Sequence, residues 1–255
     1  MADSIQRFSS RVQNYVRCRP SYPADIIGLL EAQSGLTDES VVADIGAGTG
    51  MLTRLFLDHG NRVFAIEPNS AMREAAENAL ADESGFTSIA GTAEATMLPD
   101  GCVDLVAAAQ AFHWFDRSLA RVEFRRILRP AGSVVLIWND RRTDSTPFMC
   151  AYEDLMLKFG TDYRTVNHRL ITDDELQKFF AGTAPGFASF DNKQIFDFAG
   201  LKGRLRSSSY TPDTDHPDFQ PMIAGLERIF DLHHEDGTVV FEYDTLVYYG
   251  KMTMQ

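Results

Sequence analysis

Between residues 41 and 138 the chain alternates short apolar runs with amphipathic stretches. Runs at 41–45, 62–67, 86–90, 103–109 and 133–138 have the length and composition of buried strands. The segments between them carry a helical period. Residues 50–58 follow a glycine-rich turn, and 69–80 open with Asn69 or Ser70 as a cap and are rich in Ala and Glu. Residues 117–128 place Ala120, Phe124, Ile127 and Leu128 on one face. Arg129-Pro130-Ala131-Gly132 then predicts a helix stop and a turn into the next strand. Strands alternating with helices predict a parallel sheet covered on both faces.

The flanks follow a different pattern. Upstream, Tyr15, Arg17, Arg19, Pro20, Tyr22 and Pro23 crowd one segment, whose prolines break any long helix before one resumes over 25–31. Downstream of Trp138, Phe148, Tyr152, Leu155, Met156 and Phe159 fall at helical spacing. Thr172-Asp173-Asp174-Glu175 predicts a capping box that opens a short helix carrying Leu176, Phe179 and Phe180. Residues 187–198 look like a strand, Met222, Leu226, Ile229, Phe230 and His233 share a helix face, and Asp236-Gly237 turns the chain into a last strand over 238–252. Helices within 141–185 and 199–236, with the N-terminal segment, are expected to form a lid over the ligand end of the sheet.

The stretch with most chemical content is Asp44-Ile45-Gly46-Ala47-Gly48-Thr49-Gly50. A turn that binds pyrophosphate follows G-x-G-x-x-G. Here the third glycine arrives one residue early, and Met51 stands where that pattern wants it. Asp44 at the mouth of the turn would repel a pyrophosphate but suits a ligand bearing an ammonium and a sulfonium. No Lys or Arg lies between Asp44 and Thr53 to offset it. A second acid, Glu67, ends the next strand, where a carboxylate can accept both ribose hydroxyls.

Asp44, the Gly46/Gly48/Gly50 turn and Glu67 together resemble the cofactor site of class I S-adenosylmethionine-dependent methyltransferases. The resemblance covers residues 41–138. It implies an α/β fold: a doubly wound, mostly parallel, seven-stranded Rossmann-like sheet with helices on both faces and an added helical lid. The whole of 1–255 would be one domain, with a helical cap over 1–40, a cofactor core over 41–138, and lid helices plus the last two strands over 139–255. It also implies S-adenosyl-L-methionine as cofactor and S-adenosyl-L-homocysteine as product. Asp44 would sit near the methionine amino group, and Gly46, Ala47 and Gly48 would let the backbone approach. Glu67 would hold the ribose, with Pro68 and Met72 beside the adenine. Relatives often carry an acid at the position of Thr92; with threonine there, a backbone contact from Ala93 takes its place. Gln110 would pass the methionine part, Arg19 would pair with its carboxylate, and Tyr15, Tyr22, His113 and Trp114 would face the substrate, with His113 as a candidate base. The surroundings of His113-Trp114, the segment from Tyr15 to Pro23 and the segment 201–210 resemble a branch that includes trans-aconitate methyltransferase-like proteins.

Each of these residues has a plainer reading. His113 suits a hydrogen bond to a loop carbonyl, Trp114, Tyr15 and Tyr22 suit packing, and Arg19 suits a salt bridge. Arg17, Arg19, Arg141, Arg142, Arg204 and Arg206 could locally receive a carboxylate. The acceptor is expected to be a small molecule methylated at O, N or C, a carboxylate among the candidates. Rival functions are a non-catalytic cofactor-binding module and a nicotinamide-dependent oxidoreductase.

Charge narrows the partners. The chain holds 36 acidic and 24 basic residues, a net charge of -12, which disfavours nucleic acid and anionic membrane surfaces. Its three cysteines, Cys18, Cys102 and Cys150, form no C-x-x-C pair and suggest a reducing, cytoplasmic setting for a monomer or homodimer. No signal-peptide core or membrane span is apparent. Adjacent His233 and His234 point apart on a helix, so no metal site is expected.

Overall fold

The computed structural model describes residues 18–161, 163, 171–180 and 184–252; Tyr15 lies outside them. One seven-stranded sheet runs in the order β3-β2-β1-β4-β5-β7-β6. Its strands are β1 (Val41–Ile45), β2 (Arg62–Ile66), β3 (Phe86–Ile89), β4 (Val103–Ala109), β5 (Leu128–Arg141), β6 (Gly186–Phe196) and β7 (Val239–Lys251). The first five pair in parallel, and β7 runs antiparallel to both β5 and β6. Strand order reverses between β1 and β4. In an open α/β sheet the crevice at such a reversal lies beyond the carboxyl ends of the strands and takes the ligand.

The two faces follow the period-two alternation of the strands. On one face Ala43, Ile45, Val106, Ala108, Val134 and Leu136 pack with Ala120, Phe124 and Ile127 of α4 (Arg117–Ile127). On the other, Val42, Leu105, Ala107, Val135 and Ile137 pack with Ile26 and Leu30 of α1 (Asp25–Ser34) and Leu52 and Phe56 of α2 (Met51–Asp58). The helix α3 (Ser70–Ala79) begins at Asn69, whose side chain accepts from the Met72 amide, as the cap pattern predicts.

A third apolar cluster is built from α5 (Pro147–Phe159), α7 (Phe198–Arg206) and α8 (Phe219–His233) around Phe241 and Tyr243 of β7. A Cβ at Gly225 would come within 2.7 Å of Leu155 Cδ1, so the glycine lets α8 lie close on α5.

Two expectations change. The helix α6 (Asp173–Phe179) has the predicted capping box, but it does not join the lid helices. Its Leu176 and Phe179 bury against the sheet face beside α4, with the Phe179 ring 4.6 Å from Phe112 and Glu175 ion-paired to Arg117. Two large rings on one short helix find their apolar surface there. The second change concerns the stop at residues 129–132. Leu128 already pairs with Val103, and the segment is an irregularity inside β5, with the register shifting between Val103 and Leu105 and Ala131 at φ +68°.

Candidate functional site

The glycine turn joins β1 to α2 at the switch point. Gly50 adopts φ +83° as the cap of α2, and a Cβ there would meet Leu80 Cδ1 at 2.8 Å. At Gly46, φ is +70° and a Cβ would come within 2.6 Å of Ala111 Cβ, at the end of the β4 loop. Gly48 differs: at φ +58° its nearest neighbour would be the Gly46 carbonyl at 4.0 Å, so its side faces open space. Two of the three glycines close the turn against the protein, and the middle one leaves room beside the backbone.

The hydrogen bonds of the turn run inward. The amides of Gly46 and Ala47 donate to the Ile66 carbonyl at 2.8 and 3.1 Å, and Gly50 donates to the Ala47 carbonyl at 2.9 Å. The Gly48 amide donates to Glu67 Oε2 at 2.9 Å, while Glu67 Oε1 accepts from the Asn69 amide at 2.8 Å. Glu67 therefore straddles the turn and the start of α3. Burial pushes its carboxyl above the usual range, against the pull of these two amides and Arg73.

Asp44 lies deeper. It is 1% exposed, and its Oδ2 accepts from Thr53 Oγ1 at 2.6 Å. Its Oδ1 is buried and has no hydrogen-bond partner among the described residues. Burial, opposed by the Thr53 hydrogen bonds and reinforced by the nearby Glu67 charge, lifts this carboxyl from 3.8 to about 7. A buried carboxylate oxygen without a donor is costly unless a cation or donor completes it.

The other predicted residues fall around this pair. Pro68 is exposed and Met72 buried just beyond Glu67. Thr92 and Ala95 form a tight bridge through mutual amide–carbonyl bonds of 3.1 and 3.3 Å, holding the buried Ala93 between them. Gln110 follows β4 at φ +55°, with its amide on the Ile137 carbonyl at 2.9 Å and its Nε2 on the Asn139 carbonyl at 3.2 Å. A left-handed glutamine is sterically unfavourable and is held in place here by those two bonds. A 3-10 turn, Phe112–Trp114, follows: Phe112 is fully buried, whereas His113 and Trp114 are half-buried with ring centroids 4.9 Å apart.

Arg19 and Tyr22 belong to the segment that leads into α1. Arg19 Nη2 donates to the Ser207 carbonyl at 2.8 Å, at the C-terminus of α7, where the helix dipole favours a cation. Tyr22 packs with the apolar face that carries α1 and α2. Asn139 and Asn192 donate to the Ser21 carbonyl at 3.2 and 2.8 Å, tying this segment across the ends of β5 and β6.

Thr53 and Asn139 escaped the sequence reading. Thr53 had a signal, since the first turn of a helix that follows a strand-end acid can turn a hydroxyl back onto it. Asn139 had none, because its partners are scattered along the chain, at Pro20, Ser21, Gln110, Asn192 and Thr245.

Known proteins identify the family and the fold. Residues 43–136 match the family described as methyltransferase domain. An uncharacterized methyltransferase-like protein of Schizosaccharomyces pombe is 31% identical over 213 residues, 82% of this chain and 73% of that protein. The chain belongs to the methyltransferase family. An uncharacterized methyltransferase of Mycobacterium tuberculosis is 40% identical over 139 residues, 54% of each chain, so the match spans about half the length of that relative. Among solved structures, a protein of Anaeromyxobacter dehalogenans described as a type II methyltransferase superposes with a TM-score of 0.68 at 19% identity, covering 92% of this chain and 98% of its own. The fold is thus the α/β, Rossmann-like methyltransferase sheet that the glycine turn implied. These relatives do not separate the trans-aconitate branch from others. Among the described residues no helix is long and apolar enough to cross a membrane, and no group of three or more metal-ligating side chains gathers.

Proposed function

We propose that this methyltransferase-family chain transfers a methyl group from S-adenosyl-L-methionine to a small-molecule acceptor, releasing S-adenosyl-L-homocysteine. The observation that carries this is the inward direction of the turn's amides. Those of Gly46, Ala47, Gly48 and Gly50 are all given to acceptors within the protein, one of them the Glu67 carboxylate. A diphosphate cradle needs such amides to face the ligand. Here the ligand meets two buried acids instead, which favours a cationic nucleoside over a dinucleotide and argues against the oxidoreductase alternative.

The residues fit the group. Asp44 Oδ1 is available for the ammonium side, directly or through water, and the open flank of Gly48 admits the cofactor beside the backbone. Glu67 retains lone pairs for ribose hydroxyls, Pro68 and Met72 would border the adenine, and Thr92 and Ala93 would offer backbone contacts to its edge. Gln110 would present its strained backbone to the methionine part. When bound, the cofactor supplies an activated methyl on a sulfonium. What remains for the chain is to align the acceptor and exclude water, and orientation of this kind is worth roughly 7–11 kcal/mol. His113 would take a proton from a hydroxyl or amine acceptor; a carboxylate acceptor needs no base. Trp114, Tyr22 and Tyr15 would border the acceptor.

Calorimetry with S-adenosylhomocysteine and with NADH tests the proposal directly, and binding of the thioether alone is the expected result. His113→Ala is expected to lower turnover with amine or hydroxyl acceptors while leaving the affinity for S-adenosylhomocysteine within about twofold. Unchanged turnover across several acceptors would remove His113 from the mechanism.

A further inference from the structure

The sheet ends at β6, and among the described residues no strand pairs with its outer side. Natural sheets blunt such an edge by keeping it short, by placing proline in it or by bulging it. β6 shows none of these devices. It runs for 11 residues, contains no proline, and pairs with β7 without a register shift from Gly186↔Tyr249 to Phe196↔Val239. Its outward amides and carbonyls form an unbroken template for another strand.

The two faces of β6 differ. Even-numbered residues are engaged within the chain. Phe190 packs with the face that carries α1 and α2, Asn192 donates to the Ser21 carbonyl at 2.8 Å, and Gln194 donates to the Cys18 carbonyl at 3.3 Å. Odd-numbered residues, Phe187, Ser189, Asp191, Lys193 and Ile195, are all exposed. Phe187 rests against the Tyr248 ring at 4.9 Å and is still 55% exposed, and Ile195 is 60% exposed.

Two opposite charges stand between these apolar side chains. Asp191 is ion-paired to Arg142, which also holds Asp244. Lys193 lies opposite Glu242 of β7 in register, yet it makes no ion pair or hydrogen bond among the described residues.

The order Asp191-Asn192-Lys193 is self-complementary. Two copies of β6, antiparallel about a two-fold axis through Asn192 and normal to the sheet, place Asp191 of each copy opposite Lys193 of the other. The same register sets Ser189 opposite Ile195. It also puts Phe187 of each copy on the diagonal from Ile195 of the other, within reach of an aromatic ring. Odd positions meet odd positions, so the contacts that the even face makes with Cys18 and Ser21 are kept. An axis through Asp191 or through Lys193 would instead set like charges opposite each other, which is unfavourable.

We propose that the occupant of this edge is a second copy of the chain, joined β6 to β6 in a symmetric homodimer whose sheet is continuous across both copies. The contact is isologous, so one surface serves both partners and the assembly closes at two. Arg142 keeps Asp244 when Lys193 of the second copy joins Asp191. Strands β4, β5 and β7 separate this edge from β1, and the proposal is independent of the methyl-transfer reading.

Sedimentation velocity on the whole chain, from about 1 to about 100 μM, tests it, since this range spans ordinary reversible association. The parent is expected to shift from monomer to dimer as concentration rises. Asp191→Lys creates two pairs of facing positive charges and Lys193→Asp two pairs of facing negative ones. Each alone should weaken association roughly tenfold or more. An equimolar mixture of the two variants brings opposite charges together at both positions and should recover an affinity within about threefold of the parent. Melting temperatures at the lowest concentration should agree within about 2 °C, as for exposed substitutions, which reports that both variants fold. A parent that stays monomeric throughout, a dimer indifferent to both single changes, or a mixture no tighter than its components would overturn the proposal.

Discussion

The two ends of the crevice are charged oppositely and built oppositely. At the β1–β2 end, two acids 23 residues apart are locked by backbone amides and one hydroxyl, and everything needed lies within residues 44–69. At the β5–β7 end, buried arginines are held by side chains brought from β5, β6, β7, α5 and the segment after α7. An acidic end suits a cationic ligand and an arginine-bearing end an anionic one, so the two ends carry opposite charges. An overall charge of -12 conceals this, because the arginines are buried and the acids are spread over the surface.

The largest expected effect breaks the acidic end alone. Asp44→Asn removes the charge that would face the cofactor ammonium, and S-adenosylhomocysteine affinity should fall roughly 100-fold, as for loss of one partner of a buried charge pair. Stability should move the other way. Because the folded-state pKa of Asp44 is raised from 3.8 to about 7, the folded chain binds this proton more tightly than the unfolded one. Its contribution is full below about pH 4 and is lost as pH climbs through 7, a change on the order of 4 kcal/mol. Urea unfolding at pH 5 and pH 8 should show this decline in the parent and a flatter profile in Asp44→Asn. Thioether affinity in the parent should drop below pH 7, as the carboxyl neutralises. A pH-independent affinity would show that Asp44 stays outside the cofactor's reach.

A smaller contrast separates folding from binding within the turn. Gly46→Ala adds a Cβ 2.6 Å from Ala111 Cβ at φ +70°, so strain and overpacking together should cost roughly 3 kcal/mol. Gly48→Ala meets nothing closer than 4.0 Å and should cost only the left-handed strain, about 1–2 kcal/mol. Thermal unfolding should rank Gly46→Ala as clearly the less stable. Titration should show Gly48→Ala losing cofactor affinity by more than its modest instability explains. The reverse ranking would mean that the open flank of Gly48 is not the ligand's side.

The same contrast explains what the sequence could and could not disclose. Asp44, Gly46, Gly48, Gly50 and Glu67 are legible because a strand end, a tight turn and a helix start constrain neighbours in one short segment. The strands β1 to β4 and the apolar centre of β5 were legible for a similar reason, each being a short apolar run bounded by turn formers. The capping box at Thr172 fixed where α6 starts, yet not which surface it covers, since burial of Phe179 beside Phe112 is decided by partners 67 residues away. Arg204 was visible only as one of several scattered arginines. That it is buried against neutral hydroxyls depends on Tyr243, 39 residues on, and on Gln194 behind it. A pairing across separate elements leaves no local pattern to read.

The smallest expected effect sharpens the acidic end without removing its charge. Thr53→Val keeps the volume near Asp44 but takes away the hydroxyl that donates to Oδ2 at 2.6 Å. That hydrogen bond lowers the Asp44 pKa against the pull of burial, so its loss should raise the folded-state pKa further and move the acidic limb of the S-adenosylhomocysteine affinity profile to higher pH by about one to two units, the equivalent of a single net hydrogen bond to a charged group. At pH 9, with the carboxyl at least half ionised in both proteins, the affinities should converge to within about threefold. A uniform loss at every pH would mean that Thr53 supports the shape of the turn, and that the state of the buried carboxyl is set by its surroundings without it.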